Sequence, residues 1–288
     1  MDYLAKSVTE NGDFRAYLID ATELVKQAAE IHNTNQVGSV ILGRALIGSL
    51  LASSSVLKGE EQMQVFINGG GPVGNIVVEA DTKGEVRGYL SNPRPDFINE
   101  SVGQTVGTNG FVKITKMAPY SKPFVGQVQL ISGEIGDDLT YYLAQSEQIP
   151  SLLGVSVYAN EDGSVERAGG FLIQTLPGTS MEAVENIEKK IGNFTPLYAQ
   201  LAEGLSPEVI LYNIFGGQDK VNIVENLPVK LSEELPKEYY ALALSSLPVD
   251  ELQQMIDEDD GAEVNTRFTN SKYWFSADEL REIIKNKR

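Results

Sequence analysis

Ser39–Leu57 reads SVILGRALIGSLLASSSVL and contains the longest apolar stretch of the chain, Val40–Val56. Arg44 and several glycines and serines interrupt this stretch, so it falls short of the ~20 apolar residues that span a bilayer. Some of its residues are small enough to let neighbouring backbone approach closely, namely Gly43, Ala45, Gly48 and Ala52. We therefore predict a buried helix at the centre of a globular core.

The residues on the N-terminal side of this stretch predict a second helix. Asp20 and Glu23 have the spacing of a capping box, in which a side chain at each position bonds the first turn of a helix. Leu24, Ala28 and Ile31 follow at helical intervals. The predicted helix runs from about Ala21 to Asn33.

On the C-terminal side the sequence changes to short β-rich runs separated by Gly, Pro, Asn and Asp. The predicted strands are Gln64–Ile67, Gly74–Glu79, Glu85–Leu90, Gly110–Met117, Pro123–Ile131, Leu153–Tyr158 and Val165–Thr175, with a helix at Asp137–Ser146. Successive strands with short turns imply a mainly antiparallel sheet. Helices before and beside such a sheet make the fold class α+β.

Residues after Pro177 return to helical periodicity and predict a helical connector. Its helices are Met181–Ile191, Pro196–Leu205 and Pro207–Phe215. The last sixty residues predict a small C-terminal α/β domain with helices at Pro236–Leu247, Asp250–Asp259 and from Ala277 to the end, and a hairpin across Val264–Phe275. We predict an N-terminal core at 1–178, a helical linker at 179–228 and a C-terminal domain at 229–288.

Composition excludes several classes of function. The formal net charge is −17, which disfavours binding to a phosphate backbone, so nucleic acid is rejected as a partner. The chain has no cysteine, which excludes disulfides, thiolate metal sites, a cysteine nucleophile and thiol-based redox sensing. No secretory signal is visible at the N-terminus, and we expect a cytoplasmic protein without a membrane partner.

Three short motifs could suggest chemistry, and each is better explained by structure. Gly69–Pro72 lacks the Lys-Ser or Lys-Thr pair of a phosphate-binding loop and fits a tight turn. His32 is the single histidine and fits a helical surface better than a catalytic site. The acidic run Asp257–Asp260 does not align with a calcium loop and fits a solvated helix end. An enzyme would need a convergent polar pocket, which the sequence does not reveal, so we expect no enzyme.

Three blocks in a fixed order resemble the 33-kDa heat-shock protein family, also called 33-kDa chaperonins. The first block comprises GGPVG at Gly70–Gly74, Glu79-Ala80, GEVRGY at Gly84–Tyr89 and Asn92-Pro93. The second comprises GGFLIQ at Gly169–Gln174 and Leu176-Pro177, and the third comprises ELQQMID at Glu251–Asp257 and Gly261–Glu263. The resemblance spans essentially the whole chain. It implies an α/β core, a helical linker packed against it and a small C-terminal zinc domain.

The family's zinc motif is Cys-x-Cys, a spacer of about thirty residues and Cys-x-x-Cys. By the resemblance, these four positions are Glu233, Leu235, Thr266 and Thr269 in this chain. One carboxylate and two neutral hydroxyls are a poor substitute for four thiolates, so we predict neither zinc nor another cofactor. One leucine of this region and four aromatic residues could instead form a compensating cluster, namely Leu235, Phe268, Tyr273, Trp274 and Phe275.

The resemblance implies a holding chaperone (holdase) of the heat-shock response, which binds unfolded or partly unfolded client proteins without ATP, often as a homodimer. The resemblance also implies that oxidation of the zinc-binding thiols releases zinc and switches the chaperone on, as the C-terminal domain and linker lose structure. Without thiols, such a chaperone is either constitutively active or gated by heat-driven loosening of the linker and C-terminal domain. For client contact the candidates are the exposed face of the sheet and apolar residues of the predicted linker, namely Ile187, Leu197, Leu201, Ile210 and Ile214. The alternative for each is permanent burial as core. The alternative for the chain is a binding or scaffold protein that keeps the fold without chaperone activity.

Overall fold

The computed structural model describes residues 1–96 and 101–287, which form two compact units, Met1–Leu231 and Ser232–Arg288. Each unit is described by itself below. The subdivision of the first unit into a core and a linker stays a prediction.

The first unit contains eleven strands and seven α-helices among its described residues. The strands are β1 (Tyr3–Thr9), β2 (Phe14–Asp20), β3 (Gln62–Asn68), β4 (Ile76–Asp81), β5 (Glu85–Leu90), β6 (Phe111–Met117), β7 (Phe124–Gln129), β8 (Ser151–Ala159), β9 (Val165–Thr175), β10 (Val221–Pro228) and β11 (Lys230–Leu231). The helices are α1 (Thr22–His32), α2 (Gln36–Val56), α3 (Val102–Val106), α4 (Ile135–Gln145), α5 (Met181–Gly192), α6 (Leu197–Ala202) and α7 (Pro207–Phe215). The α+β class is confirmed.

The strands form two sheets instead of the single sheet that the sequence predicts. The first sheet has the order β10-β1-β2-β9-β8, and the second has the order β11-β5-β4-β3-β6-β7. Neighbouring strands are antiparallel throughout, except that β11 runs parallel to β5. The two residues of β11 continue the chain directly after β10, so one segment joins the edges of both sheets.

Helix α2 lies between the two sheets and packs against both. Gly43 leaves no room for a side chain beside Val157 of β8, and Gly88 of β5 leaves none beside Leu46. By length and composition α2 could cross a membrane, but 83% of its most apolar window is buried inside the protein. The predicted core helix is confirmed. It begins at Gln36, because the side chain of Asn35 accepts a hydrogen bond from the N–H of Gly38 at 2.9 Å.

The predicted capping box before α1 is wrong, although the helix itself is confirmed. Asp20 accepts a hydrogen bond from the N–H of Thr22 at 3.1 Å, and Glu23 pairs with Lys26 instead of reaching back. The carboxylate of Asp2, just before β1, accepts a hydrogen bond from the N–H of Leu24 at 2.7 Å. A residue near the start of the chain therefore accepts a hydrogen bond from one of the free N–H groups in the first turn of α1. The sequence patterns predict none of the strands β1, β2 and β10.

The glycine-rich segment at Gly69–Pro72 lies in the turn between β3 and β4, as predicted. Gly70 and Gly74 adopt positive φ angles of 78° and 69°, which favour glycine. A side chain on Gly71 would meet backbone atoms of Thr105 and Val106 within 2.7 Å. The glycines therefore serve a tight turn packed against the C-terminal end of α3.

The second unit is a small α/β unit with its own core. Its elements are α8 (Lys237–Leu244), α9 (Val249–Asp259), β12 (Gly261–Asn265), β13 (Lys272–Ser276) and α10 (Ala277–Asn286). Its buried residues are Leu244, Leu252, Ile256, Phe275, Ala277 and Leu280. A capping box of Ser276 and Glu279 begins α10. The predicted elements are confirmed, with residue 288 outside the described residues.

The position of α2 predicts a large cost for a truncation there. Leu46→Ala removes a fully buried side chain between the sheets and should lower the free energy of unfolding of the first unit by about 2–5 kcal/mol. The matched control is Met181→Ala, since the Met181 side chain belongs to the same unit and is exposed, and its truncation should change stability by less than about 0.5 kcal/mol. Urea denaturation followed by circular dichroism measures both. Equal losses would contradict the central role of α2.

Candidate functional site

Helices α5, α6 and α7 lie over the outer face of the first sheet and form an apolar layer with it, which we call the linker layer. All five residues predicted for client contact lie in this layer and are buried, with exposed fractions between 0% and 7%: Ile187, Leu197, Leu201, Ile210 and Ile214. The sheet contributes Ala5, Phe14, Ala16, Leu18 and Ile173. The structure therefore brings the five residues together, and their contact with clients stays a prediction.

The sheet is shaped to receive α6 closely. A side chain on Gly169 of β9 would lie 2.7 Å from Leu201 and 3.4 Å from Leu197. The bare backbone at this position is therefore the surface on which α6 sits. Beside it, the rings of Tyr198 on α6 and Tyr158 on β8 stack with centroids 5.4 Å apart. Both tyrosines are partly exposed, so this contact lies at the rim of the linker layer.

Helix α5 is the most weakly anchored part of the layer. Ile187 is its single buried residue, whereas its other face carries exposed charges from Glu182, Glu185, Glu188, Lys189 and Lys190. Burial of apolar area is the main stabilising contribution to such packing. Helix α5 therefore stabilises the linker layer less than α7 does, because α7 buries Ile210, Leu211 and Ile214.

A carboxylate at the start of α7 closes the layer against the sheet. The hydroxyl of Tyr3 in β1 donates to Glu208 at 2.7 Å, and the side-chain amide of Asn226 in β10 donates to the other oxygen of Glu208 at 2.7 Å. Burial raises the pKa of Tyr3, and the adjacent Glu208 raises it further. Burial alone would raise the pKa of Glu208, but the hydrogen bonds it accepts hold that pKa below its ordinary value. Glu208 therefore stays ionised at neutral pH and fastens α7 to two strands.

In the second unit, hydrogen bonds occupy the positions that the resemblance assigns to zinc ligands. The hydroxyls of Thr266 and Thr269 bond each other at 2.6 Å. Thr266 also accepts from the N–H of Ser271 at 3.0 Å. The hydroxyl of Tyr273 donates to the carbonyl oxygen of Leu235 at 3.1 Å. The segment that carries positions 233 and 235 is therefore joined by a hydrogen bond to the hairpin that carries positions 266 and 269.

Glu234, between two of those positions, is the centre of this network. Its carboxylate accepts from the hydroxyl of Ser271 at 2.7 Å and from that of Tyr240 at 3.2 Å. Burial would raise the pKa of Glu234, but surrounding hydroxyl groups outweigh burial and hold the pKa below its ordinary value. These hydroxyls belong to Thr269, Ser271, Tyr273 and Tyr240.

The donor set at these positions does not fit structural zinc. Leu235 has no donor atom in its side chain, and the hydroxyls of Thr266 and Thr269 are turned toward each other. Among residues 1–96 and 101–287 no group of three or more histidines, cysteines or carboxylates is placed to hold a metal ion. The residues at and beside the four positions therefore form a hydrogen-bond network instead of a metal coordination sphere.

The predicted apolar cluster at this site forms only in part. Phe275 is buried in the core of the second unit, and Tyr273 packs against that core and stacks on Tyr240 with centroids 5.0 Å apart. Trp274 is 52% exposed, because it lies on the opposite face of β13 from Phe275. Its ring covers the backbone of Gly261.

Sequence reasoning missed both Glu208 and Glu234. Glu208 acts through Tyr3 and Asn226, and Tyr3 lies 205 positions away along the chain. The sequence does place Glu208 in the first turn of a helix, after the capping residue Ser206. Glu234 has a local signal, since it lies between two family ligand positions, but its partners follow only from the folded hairpin.

Comparisons with known proteins agree along the whole chain. The model of the Hsp33 protein family matches residues 2–276. A 33 kDa chaperonin of Limosilactobacillus fermentum is 48% identical, covering 99% of this chain and 99% of that protein. A 33 kDa chaperonin of Bacillus subtilis is 42% identical, covering 98% of each chain. The crystal structure of the 33 kDa chaperonin of Thermotoga maritima superimposes with a TM-score of 0.89 at 34% identity, covering 99% of this chain and 98% of that one.

The Glu234 network predicts an acid-sensitive second unit. Because the pKa of Glu234 is depressed in the folded state, its contribution is fully present above its ordinary value of 4.5 and is lost as the pH falls through the folded value. Glu234→Ala should lower the free energy of unfolding by about 1–3 kcal/mol at pH 7, and by less as the pH falls below 4.5.

Fluorescence of Trp274, the single tryptophan, reports on the second unit in the intact chain. Glu282→Ala is the matched control, because Glu282 is an exposed carboxylate on α10. An equal loss of unfolding free energy in both variants, or a loss that does not change with pH, would contradict the stabilising role of the Glu234 network.

The Glu208 contacts predict that the linker layer opens more often without them. A cysteine introduced by Leu201→Cys would be the only thiol in the chain, and iodoacetamide should label it only when the layer opens. Adding Glu208→Ala should raise the labelling rate by roughly 5- to 30-fold, as expected for loss of a partly exposed, charge-assisted hydrogen bond.

Glu185→Ala is the matched control, since it removes an exposed charge from α5. Met181→Cys should be labelled at once, because the Met181 side chain is 74% exposed. Equal labelling rates with and without Glu208 would show that apolar packing alone holds the layer.

Proposed function

The chain belongs to the Hsp33 protein family, and on this premise we propose that it is a holdase that binds unfolding proteins without ATP and without a thiol or zinc switch. The family is one of molecular chaperones and not of enzymes. The proposed clients are unfolded or partly unfolded proteins in the cytoplasm. A net charge of −17 does not suit a nucleic-acid partner, and the most apolar helix is committed to the core.

The linker layer is the observation that carries this proposal. It holds apolar side chains of α5, α6 and α7 on one face of a sheet, so its separation would expose two complementary apolar surfaces together. Apolar surfaces of this kind bind unfolded chains, because unfolded chains expose apolar residues that folded proteins bury. The five buried residues singled out from the sequence are the proposed contact residues.

The proposed trigger is heat-driven local opening in place of oxidation. The chain has no thiol to oxidise, and threonines and a leucine stand at three of the four ligand positions. Units with small cores open at low free-energy cost, and both α5 and the second unit bury few side chains. We expect the second unit to remain folded without zinc, because its network of hydroxyl groups and Glu234 needs no metal.

Light scattering of a thermally aggregating enzyme such as citrate synthase tests this function. The pure chain should suppress aggregation to the same extent before and after peroxide treatment, and after dialysis against a chelator. Serum albumin at the same concentration controls for nonspecific protection. The fraction of client held should rise with temperature below the unfolding of the first unit.

The outcomes separate the alternatives. Suppression that needs peroxide would contradict a switchless holdase, and suppression lost with the chelator would contradict independence from metal. No suppression at any temperature at which the first unit stays folded would contradict chaperone activity and favour a scaffold protein. In the Leu201→Cys variant, bound client should slow thiol labelling after heating, and an unchanged rate would exclude the linker layer as the contact surface.

A further inference from the structure

Strand β7 is an open edge of the second sheet, at the opposite end from β11. It pairs with β6, and no second strand pairs with it among the residues that the structure describes. Edge strands of this kind present unpaired N–H and C=O groups that can accept a further strand. Natural proteins usually protect such edges with charges, proline or a covering element.

The register of the β6–β7 pair shows which backbone groups face the open side. The N–H of Leu130 donates to the carbonyl oxygen of Gly110 at 3.1 Å, which makes these two residues a hydrogen-bonded pair. Bonded and non-bonded pairs alternate in an antiparallel ladder. The N–H and C=O groups of Val125, Gln127 and Gln129 therefore point away from β6.

Nothing in the strand itself protects this edge. Its sequence is FVGQVQ, without charge or proline, and Phe124 and Val125 are 51% and 55% exposed. The other long edge strand without charge, β8, is covered, because the N–H of Leu153 donates to the side chain of Thr140 on α4 at 3.0 Å. Edge strand β10 carries Glu225 and Pro228. Strand β7 thus differs from both.

The surface beside β7 is basic in a strongly acidic chain. Residues 101–133 contain three lysines and no aspartate or glutamate, whereas the whole chain has a net charge of −17. Lys116 pairs with Glu147 at 2.8 Å, and Lys113 lies over the ring of Phe66 at 5.2 Å. Lys122 lies in the loop that leads into β7 and is exposed. Glu147 therefore neutralises Lys116, and Lys113 and Lys122 are the charges that favour a carboxylate-bearing partner.

The sheet face that continues from this edge is partly apolar. The rings of Phe66 and Phe111 stack with centroids 5.8 Å apart, and Lys113 lies opposite Gln127 in the register. The other face is covered, since a side chain on Gly126 would lie 2.4 Å from the hydroxyl of Tyr142 on α4. A strand added to β7 would place alternate side chains beside Val125, Gln127 and Gln129, on the same sheet face as the aromatic pair, which lies further from the edge on β3 and β6.

We propose that β7 is a second client-contact site, at which an extended client segment with both apolar and acidic residues adds to the sheet as a further strand. This inference rests on the proposed holdase function and names an additional surface for it. Main-chain hydrogen bonds would supply affinity without sequence selectivity, and the lysines would favour acidic segments. Unlike the linker layer, this site is exposed before any part of the protein opens.

A pair of substitutions at Gln127 separates backbone from side-chain effects. Gln127→Pro removes the outward N–H that an added strand needs, and this N–H makes no bond to β6. Gln127→Ala keeps the N–H and removes the side chain. The probe is reduced, carboxymethylated α-lactalbumin, an acidic unfolded protein, and fluorescence anisotropy of the labelled probe measures its Kd.

Gln127→Ala should bind the probe as the wild type does, and Gln127→Pro should raise the Kd by about tenfold, as expected when several main-chain bonds are lost together. Amide hydrogen exchange of Val125, Gln127 and Gln129 in the wild type should slow when the probe binds. Lys113→Gln should weaken binding of this probe without weakening binding of reduced, carboxamidomethylated lysozyme, which is basic. Thermal unfolding of each variant checks that the fold is kept.

Equal Kd values for the two Gln127 variants, or unchanged exchange of the three amides in a wild type that still suppresses aggregation, would overturn this site and leave the holdase function intact. If Gln127→Pro unfolds, the exchange measurement on the wild type decides. Failure of the wild type both to bind the probe and to suppress aggregation would overturn the holdase function and this site with it.

Discussion

The packing of α2 between two sheets is the constraint on which the first unit depends. A helix surrounded by protein must be apolar on nearly every side, and fifteen of its residues are buried. Two sheets can approach one helix this closely only where side chains are absent, as at Gly43, Gly88 and Gly170. With both inner faces committed to α2, each sheet keeps one outer face for other contacts. The linker layer covers the outer face of the first sheet, and the outer face of the second sheet continues to the open edge at β7.

The linker layer combines large apolar burial with few polar contacts. Full burial of one leucine or isoleucine contributes about 1.5–3 kcal/mol, and one net hydrogen bond contributes about 0.5–1.5 kcal/mol. The apolar side chains therefore determine how strongly the layer is held, whereas Tyr3, Asn226 and Glu208 determine where α7 lies. Apolar burial is also non-directional, so under the proposed function the same side chains would exchange the sheet for an unfolded chain.

Local patterns predicted most of the helices and strands, because their signals lie within the elements. Helix α7 matches its prediction from Pro207 to Phe215, since Ser206 caps it, proline begins it and Gly216 ends it. Strands β1 and β10 were missed because they are specified by each other: Tyr3 pairs with Pro228 at the far end of the linker. The same distance along the chain hides the Glu208 contacts. Trp274 was expected in a compensating core because composition does not show which face of a strand is buried. The open edge at β7 likewise depends on strand order, which no local pattern contains.

The linker layer is closed at both ends by the sheet that it covers. The chain enters it from β9 and leaves it into β10, and both strands belong to the first sheet. Helices α5–α7 therefore form a flap hinged on two sides and not a free tail. When such a flap lifts, its ends stay fixed, so closing it again is an intramolecular event with a high effective concentration. A client would have to compete continuously with the protein's own flap, and its release on cooling would need no second protein to displace it.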